Sequence, residues 1–173
     1  STGNDFFNIN ELELDSQGNI YAYFSGGMSA DLAFTGATVA PEFDGHALIK
    51  FDPNGNFVWC RYLDGQIYGT ADQFKIVNDV AHVMLSFDQY QTVVNPITMN
   101  VLTTSHTDAY IIQIDPDNVV LDFFHLKSPS TDFLFNEFAV SSNGRYAVHA
   151  HIYDDVFVNG NLMFAFNQNA YHL

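Results

Sequence analysis

Cysteine occurs once in this sequence, at Cys60, so no intrachain disulfide can form and a disulfide-stapled fold is excluded. Cys60 stands in an apolar stretch and reads as a small core residue, not a nucleophile. Basic residues are scarce too: five Lys and Arg against twenty Asp and Glu, for a formal net charge of −15. Nucleic acid and anionic membrane both require a basic face, so neither is expected as a partner. No apolar run is long enough to span a bilayer as a helix, and no membrane insertion is expected. The signatures of the common hydrolases and phosphate binders are missing as well, with no Gly-x-Ser-x-Gly, His-Glu-x-x-His or Gly-rich phosphate loop. The chain opens at Ser1 without an initiator Met or signal peptide, and is expected to be trimmed from a longer product.

What the sequence has is aromatic residues and a period. Seventeen Phe and nine Tyr within a hydrophobic share of 47% indicate a globular chain built on pleated, half-buried surfaces. Sliding the sequence against itself by 63 positions sets Leu12, Leu14, Ile20, Ala22 and Phe24 on Lys75, Val77, Val83, Leu85 and Phe87. A second shift brings them onto Phe138, Val140, Tyr146, Val148 and Ala150. In the same register, Ala47-Leu48-Ile49-Lys50-Phe51-Asp52-Pro53 meets Tyr110-Ile111-Ile112-Gln113-Ile114-Asp115-Pro116. Three copies are expected, 1–63, 64–126 and an incomplete 127–173, forming a single repeat domain.

Within a copy, period-two alternation marks strands and Asp/Asn/Gly clusters mark hairpin turns. Asp15-Ser16-Gln17-Gly18-Asn19 and Asp52-Pro53-Asn54-Gly55-Asn56 are such turns, with Asp bonding its own backbone and Gly supplying positive φ. In the second copy Asn118 stands in for the glycine. Four strands per copy follow, with an irregular insert between the second and third, roughly 25–45, 88–108 and 153–169. Each insert is expected to form an extra hairpin or a long surface loop, where function tends to sit.

Laid out this way, the chain resembles the β-propeller repeats of secreted bacterial proteins of the Bacteroidetes type. The resemblance rests on Leu14-Asp15, Gly18-Asn19-Ile20-Tyr21, Phe34-Thr35-Gly36, the run Asp44 to Asp52, and Asn54-Gly55-Asn56-Phe57-Val58-Trp59. The second copy departs from it, with Asp122 in place of Trp59 and Asn78-Asp79-Val80 in place of a clean Gly turn. The resemblance implies an all-β fold of about three four-stranded antiparallel blades, part of a larger ring. A β-sandwich or a β-solenoid is the rival architecture. Closure takes typically about four to eight blades, so the rest of the parent propeller or other chains are expected to complete the ring. The implied role is a non-enzymatic extracellular or cell-surface module with a protein or carbohydrate partner and no cofactor. The alternative is part of a propeller enzyme, or a metal-binding propeller, with a site assembled from several blades.

The weak metal candidates are His149, His151 and Asp154. Residues two apart on a strand share a face, and a carboxylate close by could join them. A zinc site needs three or four ligands and spacing places only two, so drift on an exposed face is the plainer reading of the pair. The Asp-rich turns lack the downstream Glu of a calcium loop and read as turn chemistry. Tyr62, Tyr68, Tyr90 and Tyr153 could stack on sugars or fill a protein groove, and packing between blades is the plainer reading.

Overall fold

A computed structural model describes the backbone of residues 6–28, 32–34, 37–39, 43–63, 73–87, 92–94, 101–103, 108–127, 134–151, 156–158 and 161–164, and the side chains within 8–24, 46–63, 74–85, 108–127 and 138–148. Every regular element among them is a β-strand, and every pairing is antiparallel. The chain divides into two compact units, Ser1–Gly65 and Gln66–Leu173.

In the first unit β1 (Phe6–Leu14), β2 (Ile20–Met28), β5 (Phe43–Phe51) and β6 (Phe57–Leu63) form a four-stranded sheet in the order β1-β2-β5-β6. The insert holds a separate ribbon of β3 (Leu32–Phe34) and β4 (Ala37–Val39). Alternation sorts the side chains onto two faces. One face carries Ala22, Phe24, Ala47 and Ile49, packed with Phe51, Phe57 and Cys60. The other carries the fully buried Tyr21, Tyr23 and Leu48, together with His46, Lys50 and Leu63.

In the second unit β7 (Gln73–Val77), β8 (Val80–Phe87), β11 (Asp108–Ile114) and β12 (Val120–Lys127) repeat that order. The sheet grows to six strands because β15 (Val156–Val158) and β16 (Asn161–Phe164) add to its edge, through Leu126 opposite Val158 and Lys127 opposite Phe157. A ribbon of β9 (Thr92–Val94) and β10 (Val101–Thr103) lies in its insert, and β13 (Leu134–Val140) pairs with β14 (Tyr146–His151) as a hairpin.

Two hairpins match their counterparts down to irregularities. β5–β6 breaks register between Lys50 and Phe51, and β11–β12 breaks it 63 residues on, between Gln113 and Ile114. β1–β2 has its bulge between Ile9 and Glu11, and β13–β14 has one 126 residues on, between Phe135 and Glu137. The turns match as well. Asp52 Oδ1 accepts from the backbone N–H of Asn54 and Asn56, as Asp115 Oδ1 does from Asp117 and Val119. Gly18, Gly55 and Gly144 have φ of 81°, 82° and 77°, and Asn118 takes the place of Gly55 at 66°.

The β7–β8 hairpin departs from the ungapped alignment. Asn78 and Asp79, both at positive φ, make a two-residue turn where the first unit has the five-residue loop Asp15 to Asn19. Such a turn suits the twist of a tight hairpin. Pairing Phe74 with Val83 and Ile76 with Ala81 then gives Phe74 and Ile76 the places of Leu12 and Leu14, which the alignment had assigned to Lys75 and Val77. A one-residue slip reverses the face of a strand. Phe74 is fully buried and Lys75 pairs with His82 on the opposite face.

Both faces of the sheet in the second unit carry buried side chains, and the β13–β14 hairpin covers one of them. Phe138, Val140, Tyr146 and Val148 of the hairpin pack on Met84, Ala109, Ile111, Phe124 and Leu126 of the sheet. Polar bonds pin the two layers: Asn78 Nδ2 donates to the Ser142 carbonyl at 2.7 Å, and Gln113 Nε2 to the Tyr146 hydroxyl at 2.8 Å. That hydroxyl lies 2.7 Å from His82 Nδ1. Burial lowers the His82 pKa and favours the neutral ring, so its Nδ1 can accept the Tyr146 proton.

Candidate functional site

The insert leaves β2 and returns on β5, and its counterpart leaves β8 and returns on β11. At that end of each sheet lies a cluster of buried polar and aromatic side chains. In the first unit Ser25 opposes His46 and Tyr23 opposes Leu48, so Tyr23 and His46 are diagonal neighbours on one face. The Tyr23 hydroxyl is 2.6 Å from His46 Nδ1, and the rings stack at 25°. Burial pushes the His46 pKa down to about 4, which keeps the ring neutral at physiological pH.

In the second unit Tyr110 and His125 are cross-strand partners with rings stacked 4.5 Å apart at 9°. His125 Nε2 lies 2.9 Å from Asp108 Oδ2, and the Asp108 side chain is fully buried while that of His125 keeps 16% exposure. Asp108 Oδ1 is buried with no hydrogen-bond partner among the described residues. Burial raises the Tyr110 pKa, and the neighbouring Asp108 charge raises it further. A carboxylate holding one imidazole nitrogen fixes the ring's tautomer and direction, which suits orienting a ligand or a proton.

The opposite end of the first sheet is occupied structurally. Lys50 Nζ lies 3.7 Å from Asp15 Oδ2 and 5.1 Å from the centre of the Tyr21 ring, and Tyr21 meets Trp59 edge-on at 5.8 Å. Burial by itself raises the Asp15 pKa, but hydrogen bonds from Asn19 and Gln17 and the Lys50 charge outweigh it and hold the carboxyl below its ordinary range. Asp52 is also held low, first by the Asn56 side chain and then by backbone N–H groups. Both carboxylates are used within their own turns, as the hairpin reading of these segments requires.

Of the metal candidates, the backbone places His149 opposite Glu137 and His151 opposite Leu134 on β14, again at the strand end where an insert leaves. The side chains of His149 and His151, and Asp154 altogether, lie outside the described residues. Among the described residues no three His, Cys, Asp or Glu gather closely enough to hold a metal ion. Burial pushes the Cys60 thiol up to about 11, so it stays protonated at neutral pH and has little nucleophilic character. Tyr62 is 38% exposed on β6, while Tyr68, Tyr90 and Tyr153 lie outside the described residues.

Sequence reasoning passed over Tyr23–His46 and Asp108–Tyr110–His125. The signal was in the differences between copies. Asp108, Tyr110 and His125 stand 63 residues after Gly45, Ala47 and Tyr62, so one copy carries charge and aromatic bulk where the other has small or unlike residues. Comparison with protein-family models, curated proteins and solved structures finds no match to this chain.

Proposed function

We propose that the chain is a run of β-propeller blades from a secreted or cell-surface bacterial protein. On this reading it is a non-enzymatic module that binds protein or glycan at the strand ends where the inserts leave. The carrying observation is that Asp108, fully buried beside His125 at that end, keeps a carboxylate oxygen without a hydrogen-bond partner among the described residues. An unsatisfied buried acceptor costs stability, on the order of 1–3 kcal/mol, and such a cost is tolerated where a ligand completes the set. Sugar hydroxyls and peptide N–H groups are both donors of the required kind. The buried Tyr110 ring stacks on His125 and so holds the imidazole in place beside Asp108. Long connections on strand ends provide the variable walls of such sites.

The same Asp108–His125 pair is what favours the alternative, a catalytic site assembled over several sheets, because aspartate-held imidazole is how a general base is oriented. Glycan and peptide arrays followed by titration calorimetry separate the two. The binding reading expects saturable uptake of a defined oligosaccharide or peptide, recovered chemically unchanged, with affinity at least tenfold weaker in Asp108→Asn. Conversion of the ligand to product selects the enzyme reading. Equal affinity of the variant removes the observation on which binding rests.

A further inference from the structure

The Asp108 carboxyl is half used. Its Oδ2 lies 2.9 Å from His125 Nε2, while Oδ1, equally buried, has no hydrogen-bond partner among the described residues. His125 is also its one ion-pair partner among the described residues, with no lysine or arginine beside it. A carboxylate enclosed with a single donor is a charge only partly compensated, and the group that completes it best carries the opposite charge. The chain has few cations to spare, with five Lys and Arg against twenty Asp and Glu, and an acidic surface of that kind draws cations toward it.

Geometry then selects among cations. Because His125 takes Oδ2, one oxygen is open, whereas a guanidinium engages a carboxylate best through two parallel bonds. A primary ammonium is a compact point charge that one oxygen can satisfy. Access favours the same group. Asp108 is the first residue of β11, so it is approached past the strand end, where the His125 side chain keeps 16% exposure. An oxygen enclosed this far admits the thin end of an alkyl chain and shuts out a sugar ring. Tyr110 gives a sugar no face to stack on, since it is fully buried against His125 and Phe123.

We infer that the ligand group completing Asp108 is the ε-ammonium of a lysine in a partner peptide, donating to Oδ1 while His125 holds Oδ2. The inference rests on the binding reading above and narrows it from protein or glycan to a lysine-bearing peptide. Lys127 sets a further condition. It stands two residues beyond His125 on the same face of β12, is half-buried, and makes no ion pair with Asp108. Its charge opposes an incoming ammonium, so its removal strengthens the site.

The probe is the peptide Gly-Gly-Lys-Gly-Gly with acetyl and amide ends, whose one charge is the lysine ammonium. Titrated into the isotopically labelled whole chain, it should shift the Asp108 and His125 resonances saturably. Acetylating the lysine should weaken binding by about tenfold or more, and so should Asp108→Asn, which keeps an oxygen acceptor and drops the charge. Arginine in place of lysine should bind more weakly, and Lys127→Gln should bind the lysine peptide roughly twofold more tightly. A lysine peptide that leaves these resonances unmoved overturns the inference, as does an acetylated peptide that binds equally well or a Lys127→Gln chain that binds less. The acetylation comparison needs no variant and stands even if Asp108→Asn fails to fold. N-acetylglucosamine shifting the Asp108 resonance in place of the peptide also overturns it, yet leaves the broader binding reading intact. Silence of Asp108 toward peptide and sugar alike removes both.

Discussion

At the scale of single residues, the buried histidines make stability depend on pH across the acid range. His46 titrates near 4 in the folded chain and near 6.5 when unfolded, so between those values the unfolded state binds more protons. The His46 contribution is complete above about pH 6.5 and falls as pH drops toward 4, by on the order of 3 kcal/mol. His82 acts in the same sense. The depressed Asp15 and Asp52 carboxyls extend the loss below pH 4, because their stabilisation is present above the ordinary carboxyl value and vanishes as they protonate. Trp59, the single tryptophan, lies in the same unit as His46 and reports its unfolding. Urea midpoints read from Trp59 fluorescence should fall between pH 7 and pH 4.5, and His46→Gln should flatten that slope. A second expectation concerns Tyr146, whose hydroxyl serves both His82 and Gln113. Tyr146→Phe leaves both without that partner and should cost about 1–3 kcal/mol in thermal or urea unfolding.

At the scale of elements, turns hold the strand registers, and the turns were legible. Asp followed by Asn or Gly at fixed spacing announces a loop that bonds its own backbone, and Asp15, Asp52 and Asp115 all do so. Gly55→Ala puts a Cβ on a backbone at φ of 82° and should cost about 1–2 kcal/mol in denaturant unfolding. Gly55→Asn should cost less, since Asn118 holds the equivalent position in the other hairpin. The register of the β7–β8 hairpin against the first copy was not legible, because an ungapped period cannot anticipate a loop of two residues in place of five. Its flanking residues therefore exchanged faces, with Phe74 inside where Lys75 had been expected. The addition of β15–β16 to the edge of β12 was hidden for a related reason: short strands in an insert carry no register signal of their own. Of the candidate site, alternation in sequence gives the face of each residue but not its partner on another strand. Asp108 and His125 meet across 17 residues, and His82 and Tyr146 across 64.

At the largest scale the structure describes, the organising claim is that the β13–β14 hairpin and the sheet of the second unit bury a face against each other, Phe138, Val140 and Val148 on Met84, Ala109 and Ile111. Burial through stacking explains why one hairpin geometry carries a covered Phe138 and a bare Leu12. It also fits the sequence, where alternation is strong and motif chemistry is weak, since alternation specifies the face of each side chain. Hydrogen exchange with peptide resolution on Phe138→Ala and Leu12→Ala compares the same position in the two settings and tests this most directly. The account predicts that Phe138→Ala lowers protection across β13–β14 and its covering sheet by about 3–5 kcal/mol of opening free energy. For Leu12→Ala in the isolated chain it predicts a change below about 1 kcal/mol in β1–β2. Equal losses at the two positions, or a small loss at Phe138, would contradict it.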